Sequence, residues 1–375
     1  LGLLMREVSQ KARDVLEGGD YRVDWMMDLI YDDEPRAQNL MVLEPSFSWD
    51  LSAQVQGSGK CSVLWDDVFG QSIVPREIGD LFSPFGAEVQ VDVMLSAGAF
   101  QERIPMGRFV LDSVPEGVEY AIPRPHGGLP VVAESRVTLD LADYFLRISR
   151  DTFAFPSSPK SASMWDEAQR LTGLPVFQSI PDRTLPTNIT YEEDRLDALE
   201  KVFGPSNAWP ALTPGGALTA LPKAWGPPVG RIEDVISASL EMRSENVYNR
   251  VVVEGRNPDP NGKPWIAVAE VRDGFLRTQN ADGSPSPVRG NTYRYSSDKF
   301  TSLDQCRAYA DALLPNLARL RAVTRTVVVP FHPLFELGDV CVLVDPTRMG
   351  EESLVRVRGI SHAGGETTLT VEVSE

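Results

Sequence analysis

The sequence predicts a mainly β protein with an α+β insert, in which two β-barrel-like domains flank a smaller mixed domain. Three observations carry this. Apolar residues fall at every second position over long runs at both ends of the chain, the period of a strand with one buried face. The first such runs extend over about nine to eleven residues against a usual five or six, favouring a barrel or strongly curved sheet over a small sandwich. Between the two ends the alternation stops and helix signals take over.

Taken in order, Leu3, Met5, Val8, Ala12 and Val15 or Leu16 recur at helical spacing up to Gly18-Gly19. They predict an amphipathic helix over residues 1–18 whose stripe docks on its own domain or on a neighbour. Residues 19–150 make the first barrel-like domain. Tyr21, Val23, Trp25, Met27, Leu29 and Tyr31 alternate through one strand, and Phe47, Trp49, Leu51, Ala53 and Val55 through the next. Val89, Val91, Val93 and Leu95 mark a third, closed by the turn Ser96-Ala97-Gly98, and IPMGRFVLDSV and SRVTLDLAD follow. Tyr144 to Arg150 reads as a short helix.

Residues 151–232 make the insert. The Pro- and Ser-rich FAFPSSPKSAS is a linker. Ser163 with Asp166 caps a helix that stops at Gly173, and Asp194 to Phe203 gives a second, stopped by Gly204. Between Trp209 and Trp225 a hairpin turns at Pro214-Gly215-Gly216.

Residues 233–375 make the second barrel-like domain. VISASLEM opens it, Asn246 to Gly255 is expected to pair beside the C-terminal run, and WIAVAEV pairs across a loop. A helix near 302–320 is capped by Ser302 and Gln305, with Pro315 expected to kink or split it. From Phe335 to Val373 three strands form a meander: Val340, Val342 and Val344 alternate, then Val355 and Val357 against Arg356 and Arg358, then Leu369, Val371 and Val373. Gly338-Asp339 and Gly364-Gly365 supply tight corners.

Composition excludes several functions. A net charge of −17 repels phosphate backbones, and no run of Lys and Arg interleaved with aromatics offsets it, so specific nucleic-acid binding is disfavoured. The acidity serves solubility, or the wall of a channel through which DNA slides without sticking. Apolar runs last only a few residues, which predicts no membrane span, and Leu1 to Leu4 is too short for a signal-peptide core, so assembly in a cytoplasm is expected. Cys61, Cys306 and Cys341 lack metal spacing and read as buried free thiols.

Chemical motifs fail one by one. Gln54 to Cys61 superficially resembles a phosphate-binding loop, but Gln54 stands where the first glycine belongs and Cys61 follows Lys60. Asn257, Asp259, Asn261 and Gly262 match the opening of a calcium loop, yet Val268 occupies the position of the closing glutamate, so a hairpin loop is expected. His126, His332 and His362 each neighbour Gly or Pro or end a strand, which implies surface or turn placement. No catalytic, cofactor-binding or metal-ligating residue is assigned, and no cofactor is expected.

The series ENVYNRVVVEG, a helix, LGDVCVLVDP, ESLVRVRGISH and TTLTVEV resembles the second tube-forming barrel of hub proteins at the tail tip or baseplate of tailed bacteriophages. It is similar to late-control-D-like hubs and to minor tail proteins of actinobacterial siphophages. Asn249, Gly255, Gly338, Asp339 and Gly359 carry the match, while SPFGAEVQVDVML and MGRFVLDSV look like the first barrel of the same family. The resemblance implies a non-enzymatic homotrimer in the virion, whose six barrels adapt a six-fold tail tube to a three-fold tip. Its partners would be the distal tail or tail tube protein, the tape measure protein and tip or receptor-binding proteins, with viral DNA only as passing cargo. Two other functions remain open at this stage. One is a carbohydrate-binding adhesin stacking sugars on Trp25, Trp49, Trp65, Trp165, Trp209, Trp225 or Trp265; the other is a peptidoglycan-cleaving tip enzyme.

Overall fold

The computed structural model describes residues 6, 8–65, 72–123, 131–186, 189–240, 247–257, 262–297, 299–318, 324–346 and 350–374. The chain divides into two compact units, Leu1–Ser239 with Thr326–Ser374, and Leu240–Arg325. It is mainly β, as the alternation predicted.

In the first unit, helix α1 (Gln10–Gly18) is capped by Ser9 Oγ, which accepts from the Ala12 amide, and ends on left-handed Gly19. Its stripe docks on its own domain, with Ala12 and Leu16 buried in the first β core. That core lies within strands β1 (Arg22–Tyr31), β2 (Glu34–Asp50), β3 (Gly57–Trp65), β4 (Glu88–Ala97), β5 (Phe100–Ile122) and β6 (Val131–Ala142). Pairing runs β1-β4-β5-β6-β3-β2 and returns through β2 to β1, so the six strands form a hydrogen-bonded ring. Prolines sit at three of its irregularities. The register of β2 breaks between Leu43 and Ser46 around Pro45, and that of β5 breaks beside Pro105 and Pro115, because a ring nitrogen cannot donate to the ladder.

One expected strand is shorter than its pattern. The alternation predicts a strand through Val55, but β2 ends at Asp50. There the Asp50 carboxylate accepts from the amide and hydroxyl of Ser52, folding the chain into a side-chain-mediated turn.

Helices α2 (Tyr144–Arg150), α3 (Met164–Thr172) and α4 (Arg195–Phe203) pack with the hairpin β7 (Ala208–Leu212) and β8 (Leu218–Pro222) around a second core that includes Trp165, Leu199 and Phe203. Ser163 Oγ accepts from the Asp166 amide and left-handed Gly173 ends α3, both as the sequence predicts. Helix α4 ends at Phe203 with Gly204 as its C-cap, as expected, but without the left-handed turn usual for glycine there. Gly204 is right-handed and opens a short 3₁₀ turn, and Asn207 supplies the left-handed residue instead.

Strands β9 (Gly230–Ile232) and β10 (Ser237–Leu240) lead out of this unit. In the second unit, β11 (Arg250–Gly255) is the centre of a three-stranded sheet, antiparallel to β12 (Trp265–Glu270) and parallel to β13 (Thr292–Ser297). Helix α5 (Leu303–Ala318) covers one face, where Cys306, Ala310 and Leu317 meet Val251 and Val253. The expectation that Asn246 to Gly255 pairs beside the C-terminal run is therefore corrected. A period-two pattern specifies which face is buried and leaves open which strand lies alongside. Pro315 does not split α5, which continues to Ala318.

Two of the residues behind the family resemblance have physical roles in this unit. A Cβ at Gly255 would lie 2.6 Å from the Phe300 carbonyl oxygen and 2.7 Å from Cys306 Sγ, so the helix packs where only glycine fits. Buried Asn249 donates to the carbonyls of Leu276 and Arg289 and accepts from the Asn291 amide at 2.7 Å. Asn249→Ala leaves all three groups unpaired and should destabilise this unit by about 3 kcal/mol. Faster hydrogen exchange at the Asn291 amide would register the change, and exchange equal to wild type would show that these bonds hold nothing.

The chain returns to the first unit with β14 (Thr324–Pro330), β15 (Val340–Asp345), β16 (Glu351–Ala363) and β17 (Glu366–Val373). The last three form the predicted meander. With β9 and β10 they give the pairing order β9-β15-β16-β17-β14-β10, whose described ends are not paired to each other. Left-handed Gly338 and Asp339, whose carboxylate accepts from the Glu336 amide, make the corner before β15.

Candidate functional site

The first unit contains a joint between its strand ring and its open sheet. One edge of β16 is divided: Glu351 to Arg356 pair with β15, and Gly359 to Ala363 pair with Asp50 to Ser46 of β2. The handover falls at Arg358, which the β16–β17 register skips. That bulge reverses the alternation, so Val355 and Val357 face the core before it and Ile360 and His362 after it.

Aromatic rings fill the joint. Phe47 stacks on Trp25 with centroids 4.9 Å apart and lies 5.6 Å from Phe109, while Trp49 lies 5.9 Å from Phe109. From the open sheet, His362 approaches Phe331 at 5.1 Å, Trp49 at 5.8 Å and Trp25 at 6.0 Å. Gly59 makes room, because a Cβ there would lie 2.5 Å from the Phe47 ring. This explains a glycine in the stretch that resembled a phosphate loop: it lets one strand lie against a phenyl ring.

Arg6 closes the joint from the N-terminal side. Its guanidinium is buried and donates to the carbonyl oxygens of Met106 on β5 and Pro333 ahead of β15, with Glu336 as counter-ion at 3.3 Å. It also lies 5.9 Å from the centre of the Trp49 ring. Burial holds the Arg6 pKa below its ordinary value despite the pull of Glu336 and Asp339. Burial also pushes the carboxyls of Asp339 and Asp143 up to about 7. Asp143 joins ring to insert, accepting from the Gly57 amide and from the Phe145 amide that starts α2.

The histidine expectation needs correction at this joint. His362 is buried, with Nδ1 3.0 Å from the Thr367 hydroxyl, and burial and Arg6 hold its pKa well below normal. His332 is lowered to about 4 by burial and by Arg6, against a smaller opposing pull from Asp234. His126 and the loop positions Asp259 and Asn261 lie outside the described residues. Both described histidines have a lower pKa folded than unfolded, so these two sites bind fewer protons in the folded chain between pH 6.5 and 4. Their neutral rings contribute stability above pH 6.5, and this is lost as the pH falls through that window. Asp339 and Asp143 act oppositely, contributing below about pH 4 and losing that contribution as pH rises towards 7. His332→Gln should therefore flatten the decline from pH 6.5 to 4 by about 3 kcal/mol, read from urea transitions at several pH values. A difference between variant and wild type that stays constant across this window would refute it.

The cysteines and tryptophans pack within the fold. Cys61, Cys306 and Cys341 are buried, and burial pushes the thiols of Cys61 and Cys341 up to about 12, keeping them protonated at neutral pH. Trp25 and Trp165 are buried, and the other five tryptophans are half-buried, Trp49 in the joint and Trp265 in the second unit's core. Trp209 and Trp225 carry cations on their faces: Arg358 lies 4.5 Å and Arg356 5.0 Å from Trp209, and Arg356 lies 4.6 Å from Trp225. Sequence reading missed both Arg6 and this stack, because neither makes a motif and each is assembled from distant segments. Among the described residues no group of three His, Cys, Asp or Glu side chains is arranged to hold a metal ion, and no helix is long and apolar enough to cross a membrane.

No protein-family model matches the chain, and no curated protein matches it. Solved structures do. The chain is similar to a tail protein from Neisseria meningitidis MC58, at 12% identity over 93% of this chain and 96% of that one, with a TM-score of 0.55. It is similar to the 43 kDa tail protein of prophage MuSo2 from Shewanella oneidensis, at 10% identity over 93% and 98%, also with a TM-score of 0.55. A chain of the Francisella PdpA–VgrG complex is 8% identical, covering 97% of this chain and 61% of its own length, with a TM-score of 0.52. The fold is that of phage tail proteins.

Proposed function

We propose that this protein is a structural, non-enzymatic hub of a phage tail tip. Three copies form a ring that adapts a six-fold tail tube to a three-fold tip. The observation that carries the reading is the joint: one chain couples two β modules through continuous pairing of β2 with β16. Symmetry matching requires such a coupling, since a trimer presents six modules only if each copy holds two at a constant angle. Similarity over nearly the full length of two tail proteins supports the same reading.

In this reading the copies meet without completing one another's sheets. The first six strands are already paired in a ring, and the described ends of the second sheet, β9 and β10, are only 3 and 4 residues long. Contacts between copies therefore use faces and turns more than strand edges. The tube or distal tail protein, the tape measure protein and tip or receptor-binding proteins are the proposed neighbours. The acidic surface suits passage of DNA along the axis without adhesion. Native mass measurement with imaging of the assembled particle tests the proposal. Three copies around a six-lobed ring are expected; a monomer in the particle, or six copies with one module each, would overturn it.

A further inference from the structure

The first unit carries a cation–aromatic stack that does more than hold the insert to the open sheet. All three nitrogens of Arg356 are engaged: one donates to the Lys223 carbonyl at 2.7 Å and two to Glu372. Those of Arg358, beside it on Trp209, are not. Its side chain is 25% exposed, its nearest carboxylate oxygen is Glu372 at 3.8 Å, and its guanidinium donates no hydrogen bond to a described residue. Five donors on a planar fork, three-quarters withdrawn from water, favour a bidentate carboxylate. Exposed Lys223 adds a second cation over the same ring, at 5.4 Å. Three cations, Arg356, Arg358 and Lys223, gather here against Glu372, with Asp50 near Arg358, so the place keeps an excess of positive charge in a chain of net charge −17. Burial, with the like charge of Arg356, lowers the pKa of Arg358 against the opposing pull of Glu372 and Asp50, and an incoming anion would offset that burial.

We propose that Arg358, with Lys223 and the Trp209 and Trp225 faces, receives the acidic β1–β2 turn of a second copy of this chain. Charge complementarity selects that occupant. The turn Tyr31–Glu34 presents Asp32, Asp33 and Glu34, all exposed, on left-handed backbone at both aspartates. Asp33 touches Arg108 of its own chain yet keeps a side chain 92% exposed. A basic patch on one copy meeting an acidic turn on the next is a head-to-tail contact, the kind that closes a cyclic ring. This deepens the hub reading and rests on it for the identity of the occupant.

Two measurements keep the two ideas apart. A labelled synthetic peptide spanning Ile30–Arg36 is titrated onto the full chain, with fluorescence anisotropy as the readout. Saturable binding is expected, weakened at least tenfold by Arg358→Ala and by Lys223→Glu, and strongly reduced at high salt. Sedimentation velocity then follows association of the wild type, of Arg358→Asp, and of Arg358→Asp combined with Asp32→Arg and Asp33→Arg. The single reversal should dissociate the oligomer and the combined reversal restore it. If the wild type is trimeric and Arg358→Asp is equally so, the inference falls and the hub reading stands. A monomeric wild type whose peptide binding depends on Arg358 would overturn the contact between copies and leave only a carboxylate-binding site. Peptide binding that is absent or insensitive to both substitutions, or preferential binding of a duplex oligonucleotide at Arg358, overturns the inference.

Discussion

Phe47→Ala should destabilise the first unit by about 3–5 kcal/mol, the range for removing a buried phenyl ring from a core that collapses only in part. Phe47 is fully buried and occupies the register position between Gly59 of β3 and His362 of β16. It therefore packs the ring, the open sheet and their joint at once. Its neighbours cannot easily fill the space, since Trp25 and Phe109 are held by their own strands and Gly59 has no side chain to offer. The converse change, Gly59→Ala, pushes a methyl group to 2.5 Å from the same ring and should cost about 1–3 kcal/mol through overpacking. Urea transitions followed by tryptophan fluorescence measure both. If the hub reading holds, Phe47→Ala also lowers ring formation at protein concentrations where the monomer remains folded, because the angle between modules is no longer enforced. A cost below about 1 kcal/mol would show that the joint is not a packed core.

Arg6→Met should cost about 3–5 kcal/mol, because it removes the buried guanidinium that faces the Glu336 carboxylate at 3.3 Å. The double variant Arg6→Met with Glu336→Leu should return close to wild type, since a buried ion pair replaced by apolar groups of similar volume is near neutral. The lowered pKa of Arg6 points the same way: desolvation of the guanidinium outweighs the attraction it gains. A double-mutant cycle therefore separates the two contributions, and strict additivity of the two changes would sink the account. Glu336 and Pro333 belong to the segment leading into β15, and Met106 belongs to β5, so the residue nearest the N-terminus among those described ties the two β modules together.

Several features were legible before any coordinates. Local chemistry produced them: the caps at Ser163 and Ser302, the left-handed stop at Gly173, the corners at Gly338-Asp339 and Gly364-Gly365, and the burial of the three cysteines. Each depends on a side chain acting within a few residues of itself, or on apolarity alone. The candidate site was much less legible. Its parts come from positions 6, 47, 106, 336 and 362, and the cation stack from 209, 223, 225, 356 and 358, with no spacing in the chain to link them.

What the amino-acid order alone determined is the period, and with it a mainly β chain with a helical insert, because alternation commits each strand to one buried face. The tertiary structure decided the neighbours. Hydrogen bonds along a strand edge are the same whichever strand supplies them, so β11 could leave the C-terminal meander for a sheet of its own, and six strands could pair into a ring. It also decided parity. One extra residue at Arg358 turns His362 from an expected surface position into the aromatic joint, and places a guanidinium on Trp209 with its donors unfilled. A bulge exchanges the two faces of every residue beyond it, and its position depends on which strands compete for the same edge.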